Sequence, residues 1–379
     1  MFKFIKEHYL YLTNSSKYPG VDLLRAIAVC LVISYHFGLY RITYYIQKIG
    51  WVGVDLFFVL SGFLIGGMLI QEYEKNNSIN FKEFYKRRFL RIYPIYISVT
   101  IITIMGHLFV TKTYNFELVT FINQFFIDAV FLQSYVRYDS TLIAEGTWSL
   151  VIEEFFYLFA PFVILSTLWI SKKNLMVLLK VMSVIFLSGC LTRIYLNRNV
   201  ALDDDNWHFA HSILPQARYD ELVLGIIVAI IVRMGLLKKL WPKMYIIGCI
   251  LFLMVYIYIF QHPVIFEKPY MMTYQTYYIY TILSFSFGCI LLSVVQMKIE
   301  IKAINIIARI SYCAYLVQFI PGLFIPKIFF NLDQGLRFIV ILFLAYLLSL
   351  LIEYPFIRLY KGKVVPNQQK TSEPVVVSI

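Results

Sequence analysis

Arg25 and His36 stand eleven residues apart in a stretch that is otherwise nearly all apolar. At about 100° and about 1.5 Å per residue, they leave a helix within about 20° of one direction and lie about 16 Å apart along it. Histidine changes charge near neutral pH, so it can take or give a proton in a reaction. A guanidinium can hold an anion or steady a developing oxyanion. Asp22 precedes Arg25 by one turn and can pair with it. Asp55 and Glu153 are carboxylates inside apolar runs of their own. An ionisable group in such a run costs several kcal/mol and usually turns toward a protein interior or a cavity. Blander roles remain open for each residue. Asp22 and Arg25 can be an interfacial pair. His36, read as deep in its span, can bond a neighbouring helix. The Asp55 segment can serve packing through Gly53, Gly62, Gly66 and Gly67. Adjacent Glu153 and Glu154 cannot share a helix face, so one of them needs a partner or a proton. Glu353, just before Pro355, reads as a cap at the end of the last span.

A second cluster is basic. The loop 82–94 runs Lys82-Glu83-Phe84-Tyr85-Lys86-Arg87-Arg88-Phe89-Leu90-Arg91-Ile92-Tyr93-Pro94. The forked guanidinium groups of Arg87, Arg88 and Arg91 suit phosphate oxygens, while anchoring to acidic lipid heads stays equally open. Cys30, Cys190, Cys249, Cys289 and Cys313 form no CxxC pair and read as small buried hydrophobes; no metal site is expected.

The elements that must position these groups are membrane spans. The chain has 379 residues, 60% hydrophobic and only 15% charged. A soluble globule of this size needs more polar surface, and apolar runs near 20 residues recur from end to end. Soluble, fibrous, disordered and disulfide-stapled classes are excluded, as is a barrel of short alternating strands. Ten spans are expected, at about 21–39, 51–71, 90–110, 148–170, 175–196, 218–236, 243–261, 276–296, 304–330 and 336–357. Pro321 and Pro326 interrupt the ninth. The long connection 111–147 has a moderately apolar part, Phe116–Leu132, suited to an interface or a re-entrant segment. About two-thirds of the 34 basic residues fall in alternate segments that include the N-terminus, the 82–94 loop and the C-terminal tail. This places both termini in the cytoplasm and accounts for the net charge of +12 without nucleic acid. Residues 1–360 read as one all-α membrane domain and 361–379 as a disordered tail. The first twenty residues carry no signal-peptide core, so the first span is read as retained. Asp203-Asp204-Asp205 and the aromatics Tyr270, Tyr274, Tyr277 and Tyr278 fall outside. The aromatics read as an interfacial belt, with sugar stacking as the alternative.

These residues, in this order, resemble the acyltransferase family 3 membrane proteins, bacterial O-acyltransferases of cell-surface glycans. The likeness rests on Val21-Asp22-Leu23-Leu24-Arg25-Ala26 followed by His36, and on Gly53-Val54-Asp55-Leu56-Phe57-Phe58-Val59-Leu60-Ser61-Gly62-Phe63-Leu64-Ile65. It continues through Arg88-Phe89-Leu90-Arg91-Ile92-Tyr93-Pro94 and Trp148-Ser149-Leu150 to Glu153, Tyr157 and Pro161. Weaker matches are Arg218-Tyr219-Asp220 before Gly225, Ser311-Tyr312 to Tyr315-Leu316, and Glu353 with Pro355. The likeness covers about residues 19–360. It departs at Gln318, where members often have a histidine, so no second catalytic histidine is assigned. Many members carry an extra hydrolase-like C-terminal domain; here acceptor presentation is expected from the membrane domain or a partner.

The resemblance implies transfer of an acyl group, commonly acetyl, from acyl-CoA to a hydroxyl of a polysaccharide or lipid-linked glycan precursor, in the cytoplasmic membrane. His36 and Arg25 match the family's essential pair. Arg87, Arg88 and Arg91 are expected to hold the phosphates of acetyl-CoA, a cosubstrate rather than a permanently bound cofactor. His36 would act as general base or carry the acyl group transiently. Asp55, Glu153 or Asp22 would orient it, and Arg25 would steady the thioester oxygen or a phosphate. Membrane lipids and a second copy of the chain are further expected partners. The same buried His, Asp and Glu would also serve a proton-coupled transporter, and a non-catalytic assembly subunit could use them as structural pairs.

Overall fold

The computed structural model describes residues 2–14, 16–37, 49–106, 118–135, 147–199, 214–236, 238–261 and 277–361. Asp203-Asp204-Asp205, Tyr270, Tyr274 and the tail from 362 lie outside these residues. In chain order the helices are α1 (Phe2–Thr13), α2 (Pro19–Phe37), α3 (Val52–Asn76), α4 (Phe81–Gly106) and α5 (Leu118–Ala129). Next come α6 (Trp148–Ile170), α7 (Leu175–Asn199), α8 (Pro215–Met234), α9 (Trp241–Gln261) and α10 (Tyr277–Val294). The chain continues with α11 (Lys302–Val317), α12 (Ile320–Phe324), α13 (Pro326–Asn331) and α14 (Gln334–Leu348), then a π-helical turn (Ser349–Glu353) and α15 (Tyr354–Lys361). No strand occurs among the described residues.

Eight helical stretches among the described residues are long and apolar enough to cross a membrane. Two of the ten expected spans coincide with helices of another kind: α10 is a shorter apolar helix, and α8 carries Arg218, Asp220 and Glu221 in its first turns. Large apolar side chains face outward and several charged groups lie inside among the apolar core, the arrangement of a protein solvated by lipid. Phe162, Trp169, Leu191, Met254 and Phe343 are exposed, whereas Arg193, Arg218, Asp55 and Asp220 are fully buried. The apolar window of α3 is 78% buried and that of α9 only 17%, so α3 is central and α9 peripheral.

Without a hydrophobic drive between helices in lipid, close approach and buried polar contacts decide the packing. Asp55, Val59, Gly62 and Gly66 recur every three to four residues on α3 and form the stripe that meets α8. A Cβ at Gly62 would strike the Leu222 carbonyl, and one at Gly225 would strike Val59, so these two backbones touch because neither has a side chain. Gly67, by contrast, is in ordinary contact only.

Several local readings change. The basic run 82–94 is not a loop. Asn80 caps α4 by accepting from the Glu83 amide (3.0 Å), and Asn77 closes α3 in a left-handed conformation (φ 57°). The sequence 81–106 is therefore one helix, entered through a tight corner. Residues 118–129 form a helix within the long connection, and Phe2–Thr13 forms one where none was expected. The ninth span breaks near its prolines into α11, α12 and α13. Glu353 is not a surface cap: it is buried, accepting from Ser349 Oγ at 2.7 Å and from Cys313 Sγ at 3.4 Å. Of the cysteines only Cys313 is buried, and Cys249 is exposed on α9.

Candidate functional site

The tight α3–α4 corner sets the last turns of α3 beside the first turns of α4. With the start of α2, the end of α8 and the side of α11, they enclose a cavity of about 400 Å³. Among the described residues seven basic and three acidic side chains line it, so its field favours anions. Arg25, Arg88 and Arg309 reach it from α2, α4 and α11, each less than a tenth exposed. Arg25 Nη2 donates to Ser311 Oγ (3.3 Å) and does not close an ion pair with Asp22 one turn earlier. Arg88 lies against the rings of Phe84 and Tyr157, at 5.9 and 5.6 Å from their centroids. Arg87 also lines the cavity, but it is engaged by Glu83 one turn earlier (2.8 Å) and is partly exposed. Helical spacing explains the difference: Arg88 and Arg91, three residues apart, share the buried face of α4, and Arg87 turns away from it.

A second cavity of about 110 Å³ adjoins the first and shares Arg25, Leu64 and Arg88 with it. Arg91, Glu153, Tyr157, Ser61, Ser149 and Tyr315 line it. Tyr157 donates to Glu153 Oε2 (2.9 Å), and Ser61 Oγ, 2.7 Å from the Tyr157 oxygen, donates to it in turn. Ser149 and Tyr315 share a hydrogen bond of 2.7 Å nearby. The cavity is thus a slot of hydroxyls and one carboxylate, with cations at one end.

His36 does not line either cavity. It lies in the last described turn of α2 and is exposed rather than deep. Its ring meets Phe319 edge-on at 4.7 Å. Among the described residues it has no hydrogen bond, so none of Asp22, Asp55 or Glu153 orients it here. The helices nevertheless align it with the slot. Arg25 contacts Ser311 at one level and His36 contacts Phe319 at another, and Ser311, Tyr315 and Phe319 follow one another by a turn each. The slot runs from the Ser311 level to the Tyr315 level, and His36 lies one turn beyond.

Asp55 stands apart. Arg218 donates to it (2.6 Å) and to Glu221 (2.7 Å), all three buried, with the Tyr280 ring centroid 3.8 Å from the guanidinium carbon. Beside them Arg193 pairs with Asp220 (2.5 Å) and donates to Thr281 (2.7 Å) and the Ala217 carbonyl (2.7 Å). The α3 stripe that carries Asp55 faces α8, a different side from the one carrying Ser61 and Leu64. Sequence reasoning passed over Arg193 and Arg309, and it noted Arg218 only as part of a weaker match to the family. Yet each stands in or at the edge of an apolar run, the same signal that singled out Arg25.

A family model described as an acyltransferase domain matches residues 18–357. The peptidoglycan O-acetyltransferase OatA of Listeria monocytogenes is 35% identical over 179 residues, 43% of this chain and 27% of that protein. The O-acetyltransferase OatA of Staphylococcus aureus is 33% identical over 232 residues, 58% of this chain and 36% of that protein. The matched part is thus about a third of the length of these relatives. No solved structure matches. Since the match with the family model runs from Tyr18 at the mouth of the basic cavity to the helix that follows Glu353, it takes in every residue lining the two cavities except Ser16 and Lys17, and the chain belongs to acyltransferase family 3.

Proposed function

We propose that the protein is a membrane O-acyltransferase that takes its acyl group from an acyl-CoA; the names of its relatives, O-acetyltransferases, favour acetyl as that group. The acceptor is a hydroxyl of a cell-envelope polysaccharide, of which peptidoglycan, named for the Listeria protein, is one. The observation that carries this reading is that the two cavities share Arg25, Leu64 and Arg88 in their walls. A basic chamber adjoins a slot lined partly by hydroxyls, and His36 lies a turn beyond the slot along α2.

In this reading the basic end lies in the cytoplasm, because basic residues crowd there and the donor is made there. Arg25, Arg88 and Arg91 hold the donor's phosphates, and Arg87 contributes at the rim. The pantetheine arm lies in the slot against Ser61, Tyr157 and Ser149. The thioester then emerges near the His36 level. His36 takes the proton of the acceptor hydroxyl as its oxygen attacks the carbonyl carbon; the C–S bond then breaks, and the CoA thiolate leaves as the thiol with the proton that His36 returns. If His36 attacks first, the same bonds break in two steps through an acyl-histidine. Glu153, held by Tyr157, positions the slot and stays remote from the imidazole.

The test is transfer of label from acetyl-CoA to a peptidoglycan or lipid-linked glycan acceptor by the protein in nanodiscs. Wild type is expected to transfer and His36→Ala to fall by at least about a hundredfold, with binding of CoA retained. Undiminished transfer by His36→Ala overturns the histidine role. Absence of transfer from acetyl-CoA, with transfer from another acetyl donor, overturns the donor. Label that stays on wild type but not on His36→Ala when acceptor is withheld selects the acyl-histidine route.

A further inference from the structure

We propose that Arg309 is a further phosphate ligand of the basic cavity, reaching the donor from α11 rather than from the α4 helix that carries Arg87, Arg88 and Arg91. The inference rests on the donor reading above and adds to it a residue that neither motif spacing nor the loop arginines pointed to.

Arg309 is only 6% exposed and lines the larger cavity. It makes no hydrogen bond or ion pair among the described residues, and its Nε is buried without a partner. Among the described residues the ring it lies against is that of Tyr11, with the centroid 5.6 Å from the guanidinium carbon. A desolvated guanidinium with five donors and no acceptor is costly unless an anion meets it. A second cation makes the position worse, since Arg25 lines the same cavity. Asp22 itself has a buried oxygen, Oδ2, without a partner, so it does not neutralise Arg309 by a bond. A cationic side chain held in this way, at the wall of a cavity and short of acceptors, fits an anion that enters the cavity. Phosphate oxygens supply several acceptors at once and match the guanidinium fork. The contrast with Arg233 is instructive: it lines the same cavity but is already paired with Glu74.

A phosphate can come from the donor nucleotide or from a lipid-carried diphosphate, and Arg309 can be read instead as an anchor for α1 through Tyr11. Calorimetric titration of the full chain in phosphatidylcholine nanodiscs separates these, with CoA as one probe and farnesyl diphosphate as the other. Arg309→Met is expected to weaken CoA about tenfold or more and to flatten its salt dependence. Arg309→Lys should recover part of the loss, and Tyr11→Leu should stay within about twofold of wild type. The unliganded unfolding midpoint of each variant identifies any that fails to fold, in which case Arg309→Lys and Tyr11→Leu carry the comparison. Unchanged CoA affinity in the folded Arg309→Met protein, or an equal loss in Tyr11→Leu, overturns the inference. So does a loss confined to farnesyl diphosphate, which assigns the phosphate to a lipid carrier. Failure of wild type to bind CoA overturns the donor reading itself, whatever Arg309 does.

Discussion

The Tyr157 hydroxyl has one proton and two partly buried neighbours. It gives the proton to Glu153 and accepts from Ser61, so its hydroxyl joins α3 to α6 across the slot. Tyr157→Phe leaves a carboxylate oxygen and a serine hydroxyl unsatisfied, a cost of about 1–3 kcal/mol. The expected result is a lower unfolding midpoint together with acetyl transfer reduced by about tenfold, while CoA affinity, carried mainly by the phosphates at the basic end, falls by only about twofold. Loss of CoA affinity in step with transfer would make Tyr157 a main determinant of donor binding instead. Asp55 invites the opposite expectation. Its charge partner is Arg218, so Asp55→Asn should act through the stability of the α3–α8 contact rather than through the pH dependence of transfer. A shifted pH profile in a protein of unchanged stability would return Asp55 to the reaction.

The contact of α3 with α8 is the element on which the site depends, because α3 carries one wall of both cavities and α8 backs it. Two devices hold it: glycine contacts at Gly62 and Gly225, and the Asp55–Arg218–Glu221 cluster. Gly62→Leu drives a side chain into the Leu222 backbone, with a cost of about 1–3 kcal/mol or more for overpacking. Arg218→Met strands two buried carboxylates, and breaking a buried pair this way costs about 3–5 kcal/mol. Both variants should lower the unfolding midpoint in detergent, and Arg218→Met the more. Equal or higher stability of Arg218→Met would mean that the cluster is retained for function rather than for assembly of the helices.

At the scale of the whole molecule, the N-terminal helix ties the first residues to the last span. His8 on α1 is fully buried, with Nε2 3.2 Å from Ser349 Oγ, and Ser349 in turn serves Glu353. Burial lowers the His8 pKa from 6.5 to about 4, so the folded protein holds the neutral ring. An unfolded chain binds the proton more readily. Stability from this group is therefore complete above about pH 6.5 and is lost as pH falls toward about 4, by up to about 3 kcal/mol. The wild-type midpoint should drop between pH 7 and pH 5, and His8→Gln should flatten that drop. Parallel curves for the two proteins would show that acid acts elsewhere.

Hydropathy, length and charge alternation were enough to define a multi-pass helical protein, because crossing lipid demands long apolar helices whatever their packing. The helical period likewise put Arg25 and His36 on one side of α2, since that relation is internal to one element. The period could not say which helix each side would face. Asp55 and Ser61 lie six residues apart on α3, yet one meets Arg218 on α8 and the other Tyr157 on α6. Nor could it reveal that Arg88, Arg25 and Arg309, from three helices far apart in sequence, line one cavity, or that His36 lies a turn beyond the slot. Residue types and spacings within an element are local properties. The meeting of elements is decided by close backbone approach and by the pairing of buried charges, and only the tertiary structure contains those.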